Sequence, residues 1–261
     1  MSTSTSLPAA PFGRQLKRWR RQRALSQLEL AVRADVSQRH ISFIESGRSR
    51  PKAEVIQRIA DALEIPIRER NHLLESAGLA PNYPEVSLSS EKLAPFRNAI
   101  EQMLKTHEPY PAYVVNRSWE LIDANTAGQR FFAQNGGAPN NLLEAFLEPG
   151  PFRELIDNFP TVARNVLHRL RSEAANVGPE DRLHQLVERA ESVVRDLPAS
   201  HEEIGTDLVL CPHFRIGDQV IKTIVVVARF GSAREVTLDE LRVELVFPGD
   251  ATAEAFFRGA A

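Results

Sequence analysis

The stretch from Val36 to Lys52 reads VSQRHISFIESGRSRPK and contains a short helix with two distinct ends. Ser37 is a favourable N-cap, and Ile41 and Ile44 lie three residues apart, so they share the inward face of one helix. Gly47 is suited to end that helix, and the basic loop Arg-Ser-Arg follows it. We therefore expect a short helix with a polar, exposed start and a basic loop at its end.

The chain before Val36 predicts two more helices. Leu16 and Trp19 lie three apart within RQLKRWRRQR and share a buried face. Ser26 and Glu29 form the capping box S-Q-L-E at the start of the second helix. The inward stripe of that helix is predicted to consist of Leu28, Ala31 and Val32. Asp35 then occupies a tight turn that needs a left-handed backbone, which Asp accepts at some cost.

Two helices follow the basic loop. Pro51 opens the fourth helix, and the fifth runs from about Ile67 to Ala77 and ends at Gly78. The inward positions of the fourth helix are predicted to be Val55, Ile56, Ile59, Ala60 and Leu63. Residues 12–77 are therefore expected to form an all-α domain of five helices.

The outer face of the third helix carries side chains that can read DNA bases. Glutamine can bond adenine in a bidentate way, and arginine can do so with guanine. The N-terminal end of the second helix of a helix-turn-helix enters the major groove, while helix N-termini and basic loops hold phosphates. The predicted DNA-binding residues are Gln27, Ser37, Gln38, Arg39, His40, Ser42, Arg48, Ser49 and Arg50. Phe43 could touch thymine methyl groups or pack against the fourth helix, and we prefer packing.

The net charge of -2 hides an asymmetry between two parts of the chain. Residues 12–77 contain 14 Lys plus Arg and 8 Asp plus Glu, whereas residues 78–261 contain 18 and 26. A basic unit joined to an acidic one suggests that only the first contacts a polyanion. A chance fluctuation in surface charge is the alternative.

The stretch LSQLELAVRADVSQRHISFIESGRSRPKAEVIQRIADALEI resembles the five-helix DNA-binding domain of the phage-repressor, or XRE, family, and the resemblance covers residues 12–77. That family usually has Gly at the position of Asp35. The resemblance implies a buried salt bridge between Arg20 and Glu45. A five-helix protein-interaction domain that binds no DNA is the alternative for this unit.

Residues 78–90, which begin GLAPNYPEVS, have the composition of a linker, and residues 91–261 form a second domain. Residues 91–105 predict a helix, and AYVVN and WELIDAN predict two strands around a turn at residues 116–118. Further helices are expected at about residues 124–133, 141–147, 149–158, 160–175 and 179–196. Three later strands are predicted at Thr206–Phe214, Gln219–Phe230 and Leu238–Phe247. The expected fold is α+β and PAS-like, a five-stranded antiparallel sheet with helices on one face.

The segments RHISFIESGRSRP, HEPYPAYVVNRSWELIDAN and VTLDELRVELVFPGD, in this order, resemble the MmyB-like group of transcription regulators. This resemblance implies an apolar pocket between sheet and helices that holds a fatty-acid-like molecule. The candidate ligand-binding residues are Tyr113, Val115, Trp119, Phe131, Phe132, Phe146, Phe152, Phe159, Arg215 and Val225, with Phe247 in addition. Asn116, Arg117 and His213, like Arg215, could meet a polar head group. Each of these residues could equally belong to a solid core or cap a turn.

The chemistry of the sequence favours neither an enzyme nor a metal protein. Cys211 and His213 lie two apart, but no third catalytic member is identifiable, and the seven histidines show no metal-binding spacing. No nucleotide-binding glycine motif is present, so no cofactor is expected beyond a bound apolar molecule. Residues 1–11 are predicted to be a disordered tail. No apolar run approaches the roughly 20 residues that span a bilayer, which predicts a cytoplasmic protein without membrane contact.

Two functions remain open from the sequence. The first is a one-component transcription regulator, a homodimer that binds a double-stranded DNA operator and senses a small apolar effector. In the second, the C-terminal domain is a ligand-free platform for protein interaction or dimerisation. The operator, the regulated genes, the direction of regulation and the effector stay undetermined.

Overall fold

The computed structural model of the chain describes residues 11–178, 181–198 and 211–259. These residues form two compact units. The first contains residues 11–85 together with the short segments 175–178 and 234–236, and the second contains the other described residues from Val86 onward. The first unit is helical, and the second combines helices with one sheet.

The first unit contains the five predicted helices close to their predicted boundaries. They are α1 (Pro11–Gln22), α2 (Gln27–Arg33), α3 (Gln38–Glu45), α4 (Ala53–Ala62) and α5 (Ile67–Ser76). The predicted capping box is confirmed, because the Glu29 amide donates to the Ser26 hydroxyl at 3.1 Å and the Ser26 amide donates to the Glu29 carboxylate at 2.7 Å. Asp35 has a φ of 51°, which confirms the left-handed turn between α2 and α3.

The inward stripe of α2 differs from the prediction. Leu28 and Val32 are 55% and 74% exposed, whereas Leu30, Ala31 and Ala34 are buried in the core. Both sets follow the helical period, so the sequence pattern alone did not distinguish the two faces. The packing of α2 against its neighbouring helices decides which face is buried.

The chain directly after α5 packs on the first unit. The buried Asn71 side chain accepts hydrogen bonds from the amides of Asn82 and Tyr83, both at 3.0 Å, and donates to the Tyr83 carbonyl at 2.7 Å. Leu79 packs against the apolar core. A buried amide side chain needs such partners, and the backbone of residues 82–83 supplies them. These residues belong to the stretch that was predicted to be a linker.

The second unit is built on one sheet. Its strands are β1 (Ala112–Val115), β2 (Leu121–Ala124), β3 (His213–Ile216), β4 (Gln219–Ala228) and β5 (Arg242–Pro248). All neighbouring strands are antiparallel, in the order β2–β1–β5–β4–β3, which confirms the predicted five-stranded α+β fold. Its helices are α6 (Ala94–Thr106), preceded by a 3-10 turn at Glu91–Leu93, α7 (Thr126–Gln134), α8 (Leu142–Leu147), α9 (Pro151–Glu154), α10 (Phe159–Ala174), α11 (Arg182–Arg195), α12 (Val236–Glu240) and α13 (Ala251–Phe257).

The predicted strand boundaries need two corrections. Residues 206–210 of the first late strand lie outside the described residues, and β3 begins at His213. The predicted strand from Leu238 begins instead as α12, and β5 starts at Arg242. Leu238 and Leu241 are both buried in one apolar cluster, and their separation of three is helical rather than alternating.

The helix prediction for the second unit was wrong at two places. The helix predicted at residues 149–158 is shortened to α9, because Ile156 pairs with Phe214 in an isolated bridge. The last helix, α13, was not predicted, although Asp250 caps it by accepting a hydrogen bond from the Ala253 amide at 2.9 Å.

Alternation along the strands gives the sheet two faces. Ala112, Val114 and Val243 pack on one face in a cluster with side chains of α6 and of the segment around α12. Tyr113 and Glu244 are cross-strand neighbours on the opposite face, where they share a cavity with side chains of α8 and α10. Helices therefore lie against both faces, not against one face as predicted.

Candidate functional site

The N-terminal end of α3 presents the predicted base-reading side chains to solvent. The Ser37 hydroxyl accepts a hydrogen bond from the His40 amide at 3.1 Å, so Ser37 is occupied as the N-cap. Gln38 and Arg39 are exposed, and His40 and Ser42 are half-buried. The buried face of the same helix carries the two isoleucines of the core, and this anchoring fixes which side chains point outward.

Arg39 and Phe43 form a pair on this outer surface. The guanidinium carbon of Arg39 lies 5.1 Å from the centroid of the half-buried Phe43 ring. Phe43 is not one of the partly buried apolar side chains packed against the core of the first unit, and its ring makes a cation–π contact with Arg39. The spacing of four residues along a helix brings the two side chains together.

Gln27 is directed to a different partner than predicted. Its side-chain amide donates to the Glu45 carboxylate at 2.8 Å. Arg20 donates to the same carboxylate at 2.6 and 2.9 Å, which confirms the salt bridge that the family resemblance implied. The hydrogen bond that Arg20 donates to the Glu45 carboxylate raises the pKa of the guanidinium above its ordinary value. The predicted contact of the Gln27 side chain with a phosphate would therefore compete with Glu45.

The loop after α3 has a fixed backbone and exposed basic side chains. Gly47 has a φ of 77°, and the Phe43 carbonyl accepts hydrogen bonds from the amides of Arg48 at 2.8 Å and Ser49 at 3.2 Å. The side chains of Arg48 and Arg50 are exposed, and that of Ser49 is half-buried. This arrangement suits the binding of phosphates, which needs cations on a positioned backbone.

A second basic surface lies on α1. Arg14, Lys17, Arg18 and Arg21 line a shallow hollow together with Gln22. None of these residues was among the predicted site residues. The many basic residues in RQLKRWRRQR could have predicted this surface as a second place for phosphate contacts, because polyanion binding scales with the number of cations near the phosphates.

The second unit contains a cavity of about 270 Å³. It is lined by Tyr113, Trp119, Leu142, Leu143, Phe146, Phe152, Ile156, Val162, Asn165, Val166, Arg169, Cys211, Pro212, Phe214, Val225, Val227 and Glu244. A smaller cavity of about 30 Å³ shares five of these residues and is also lined by Phe131 and Phe132. The larger cavity therefore lies between the sheet and α8–α10, and the smaller one between the sheet and side chains of α7, α9 and α13.

The structure brings five of the ten predicted ligand residues to the larger cavity. They are Tyr113, Trp119, Phe146, Phe152 and Val225. Three of the other predicted residues do not line either cavity, and neither does Phe247. Val115 is fully buried in the sheet, and the Phe159 ring lies under the Arg153 guanidinium at 4.2 Å. Arg215 pairs with Asp157, and Phe247 meets His107 edge to face with ring centroids 4.6 Å apart.

The predicted head-group residues have protein partners outside the cavities. The Asn116 side chain donates to Glu120 at 2.7 Å, and Arg117 pairs with Asp181 and, at 3.3 Å, with Glu240. His213 lies in β3 and lines neither cavity. The polar groups that do line the larger cavity are on Asn165, Arg169, Glu244, Tyr113 and Trp119. Glu244 could have been predicted as a cavity residue, because it is the one acidic residue in the apolar strand RVELVF and occupies an inward position there.

The charged groups at the cavity form a connected cluster. Arg169 donates to Glu244 at 3.3 Å and to Glu173 at 3.0 Å, and Arg242 donates to Glu173 at 2.8 Å. The guanidinium carbons of Arg169 and Arg242 lie 4.6 and 4.7 Å from the centroid of the Trp119 ring. Burial lowers the pKa of Arg242 from its ordinary value, while Glu173 opposes that shift.

Two neutral hydrogen-bond donors at the cavity have no acceptor among the described residues. They are the Tyr113 hydroxyl and the Trp119 indole N–H, and the latter is fully buried. Burial raises the pKa of the Tyr113 phenol above its ordinary value, and the nearby Glu244 carboxylate adds to the shift. The phenol therefore stays protonated and acts as a donor. Buried donors without partners are uncommon in folded proteins.

The two residues considered for cysteine chemistry are placed differently with respect to the larger cavity. The Cys211 sulfur accepts a hydrogen bond from the Val225 amide at 3.2 Å, and Cys211, but not His213, lines the larger cavity. In residues 11–178, 181–198 and 211–259, no three His, Cys, Asp or Glu side chains could together hold a metal ion. No helix within these ranges is long and apolar enough to cross a membrane.

Two family models match the chain, and together they cover both units. Residues 96–259 match the MmyB-like transcription regulator ligand binding domain. The chain belongs to the MmyB-like transcription regulators. Residues 11–73 match a helix-turn-helix domain, in agreement with α1–α5. The family match in the second unit of this MmyB-like protein includes every residue that lines the 270 Å³ cavity.

The MmyB-like chain is also similar to a protein of Bacillus subtilis (strain 168), the uncharacterized HTH-type transcriptional regulator RghRB. The two are 39% identical over 77 residues. The matched region is 29% of this chain and 53% of the relative, so the chain spans about half the length of the curated protein that it matches.

Proposed function

We propose that this MmyB-like protein is a sequence-specific regulator of transcription that binds double-stranded DNA through α3 and the loop after it. The observation that carries the proposal is the exposed pair Gln38 and Arg39 at the N-terminal end of α3, followed by exposed Arg48 and Arg50. The first two residues would read base edges in the major groove, and the last two would hold phosphates. The helix-turn-helix family match supports this assignment.

The second unit, in this proposal, binds a small apolar, fatty-acid-like effector. Ligand cavities in proteins commonly have volumes of about 300–1,000 Å³ and are lined by apolar side chains with a few polar groups. The cavity of about 270 Å³ has that composition. Its occupant would regulate DNA binding only if it binds the DNA-competent and incompetent states with different affinity.

The proposed working form is a cytoplasmic homodimer. A two-fold dimer would place two copies of α3 in successive major grooves about one helical turn apart. Ile224 and Val226 on β4 are 43% and 47% exposed on one face of a strand, which supports an apolar interface. The same two side chains support the second candidate function, a C-terminal platform for a protein partner. A dimer in sedimentation that becomes a monomer after Ile224→Asp would favour self-association over a different partner.

The DNA-binding proposal is tested by selecting bound sequences from a random DNA library and measuring affinity for the selected duplex. Arg39→Ala should lower the preference for the selected sequence. Arg195→Ala makes the same charge change at an exposed position of α11 and should leave the preference unchanged. A protein that enriches no sequence, or an Arg39→Ala variant with unaltered preference, would contradict the proposal.

The effector proposal is tested by mass spectrometry of an organic extract from denatured, freshly purified protein. The extracted compound is then added back to protein stripped of it, and operator affinity is measured with and without the compound. A change in affinity supports the effector role. Equal affinity of stripped and loaded protein would instead favour the ligand-free platform.

A further inference from the structure

We propose that Cys211 is a site of covalent modification, at which the second unit captures an apolar α,β-unsaturated ketone or aldehyde that enters the larger cavity. This inference rests on the proposed effector function and deepens it, because it names a chemical class of effector. A fatty-acid-like molecule with an unsaturated carbonyl group along its chain belongs to this class and keeps its carboxylate. The inference follows from a thiol and two hydrogen-bond donors without acceptors among the described residues, all of which line one cavity.

Cys211 places a nucleophile at the wall of the cavity. The residue is 6% exposed and lines the cavity of about 270 Å³, so a molecule in that cavity lies against it. The Val225 amide donates a hydrogen bond to the sulfur at 3.2 Å, which fixes the sulfur beside β4. A cysteine attacks carbon electrophiles as the thiolate. Cys211 is the single cysteine of the chain, so any thiol adduct of this protein is an adduct of Cys211.

Two neutral donors at the same cavity indicate an occupant with an acceptor oxygen. Trp119 is 9% exposed, and its buried indole N–H has no acceptor among the described residues. The Tyr113 hydroxyl likewise makes no hydrogen bond within the described ranges. Burial is the main cause of the raised pKa of the Tyr113 phenol, with smaller contributions from Glu244 and from Cys211, so the thiol and the phenol lie near each other. Because a buried donor without a partner is costly, an oxygen that accepts from these groups would be bound favourably.

The lining of the cavity selects the kind of electrophile. Apolar side chains such as Leu143, Phe146 and Val162 surround the space that Cys211 borders. Such a lining binds hydrocarbon by burying its apolar surface, whereas it gains little from a small polar reagent. The electrophilic carbon is therefore expected on a hydrocarbon chain.

Conjugate addition joins the thiol and the two donors in one reaction. The sulfur forms a bond to the β-carbon, the π-bond between the α- and β-carbons breaks, and its electrons move toward the carbonyl oxygen. The α-carbon then takes up the proton that the thiol released, which restores the carbonyl group and leaves a thioether. The addition needs no oxidant, reductant or further reactant. Negative charge develops on the carbonyl oxygen during the attack, and donors directed at that oxygen stabilise it.

The test treats the full-length protein with oct-3-en-2-one at pH 8 and follows the intact mass of the denatured protein over time. We expect the mass to increase by one probe molecule in the wild-type protein and to stay unchanged in Cys211→Ser. Octan-2-one has the same carbon chain without the double bond, so it should form no adduct but should slow the reaction by occupying the cavity. A wild-type protein without an adduct, or a reaction that excess octan-2-one does not slow, would overturn the proposal.

Tyr113→Phe and Trp119→Phe test the two donors, and either variant is sufficient if the other does not fold. Each should slow the addition of oct-3-en-2-one by about tenfold or more, because the developing oxyanion loses one donor. Labelling by iodoacetamide, which displaces iodide and develops no such oxyanion, should keep its rate. Tyr83→Phe makes the same change in the first unit and should leave both rates unchanged. A donor variant that adds the ketone as fast as the wild-type protein, or that loses both reactions equally, would contradict the role of the donors.

The modification and the proposed function can fail separately. Operator affinity is measured before and after complete reaction with oct-3-en-2-one, in the wild-type protein and in Cys211→Ser. A change of about tenfold in the wild-type protein alone, within the usual range of coupling between two sites, supports both proposals. An adduct that leaves operator affinity unchanged would contradict the effector role and keep the modification site. A protein that forms no adduct but responds to its extracted compound would overturn the modification alone.

Discussion

Arg39 and Phe43 lie one helical turn apart on the outer face of α3, with the guanidinium carbon 5.1 Å from the ring centroid. An arginine side chain on a surface usually samples several rotamers, and ordering it costs conformational entropy. The aromatic ring restricts Arg39 before DNA arrives. Phe43, which contacts no base in our proposal, therefore positions Arg39, which does.

We predict that Phe43→Ala weakens operator binding by about 0.5–1 kcal/mol, the value of an exposed cation–π contact. Fluorescence anisotropy with labelled operator measures the change, and Phe43→Ala should have little further effect in an Arg39→Ala background. An equal loss in both backgrounds would mean that Phe43 acts on DNA directly, for example on thymine methyl groups, and not through Arg39.

We predict that Arg50→Ala weakens binding to operator and random DNA alike and lowers the salt slope by about one unit, as expected for one lost phosphate contact. Arg39→Ala should instead reduce discrimination between the two DNAs by about 1–3 kcal/mol. Binding titrations over a range of salt concentrations separate these outcomes. If the two variants behaved identically on both DNAs, the assignment of one arginine to bases and the other to phosphate would be wrong.

We predict that Arg20→Ala destabilises the first unit by about 3–5 kcal/mol, because it leaves a buried carboxylate without its partner. Glu45 is 6% exposed and would keep only the hydrogen bond from Gln27. Chemical denaturation followed by the fluorescence of Trp19, which lies in the first unit, measures the loss, with Trp119→Phe as background to remove the second indole. Arg21→Ala removes an exposed neighbouring charge and should change stability little. Equal stability of the two variants would show that the buried pair contributes nothing net.

We predict that Gly13→Ala destabilises the first unit by about 1–3 kcal/mol, the usual cost of overpacking. A methyl group at this position would lie 2.6 Å from the Ile44 carbonyl oxygen and 2.8 Å from that of Glu45, so α1 and α3 would have to separate. Gly231→Ala is the control, because its added methyl group meets no atom within 4 Å. Thermal unfolding measures both, and a Gly13→Ala variant as stable as Gly231→Ala would contradict the close approach of the two helices.

Several local features were predictable because they depend on neighbours in the chain. Ser26 with Glu29, Ser37 as an N-cap and Asp35 in a left-handed turn all follow from short-range rules of helix capping and turns. The salt bridge of Arg20 with Glu45 joins residues distant in sequence, and it was expected from the family resemblance alone.

The amino-acid sequence by itself determined the five helices of the first unit, the five strands of the second and the exposed polar start of α3. Tertiary packing alone decided that Leu28 and Val32 face solvent, that Gln27 bonds Glu45, and that Arg169 and Glu244 meet at the cavity. The physical reason is the separation along the chain of the residues that interact. Caps and periodicity are set within a few residues, whereas the burial of one helical face, or the pairing of a residue on α10 with one on β5, depends on where distant segments come together.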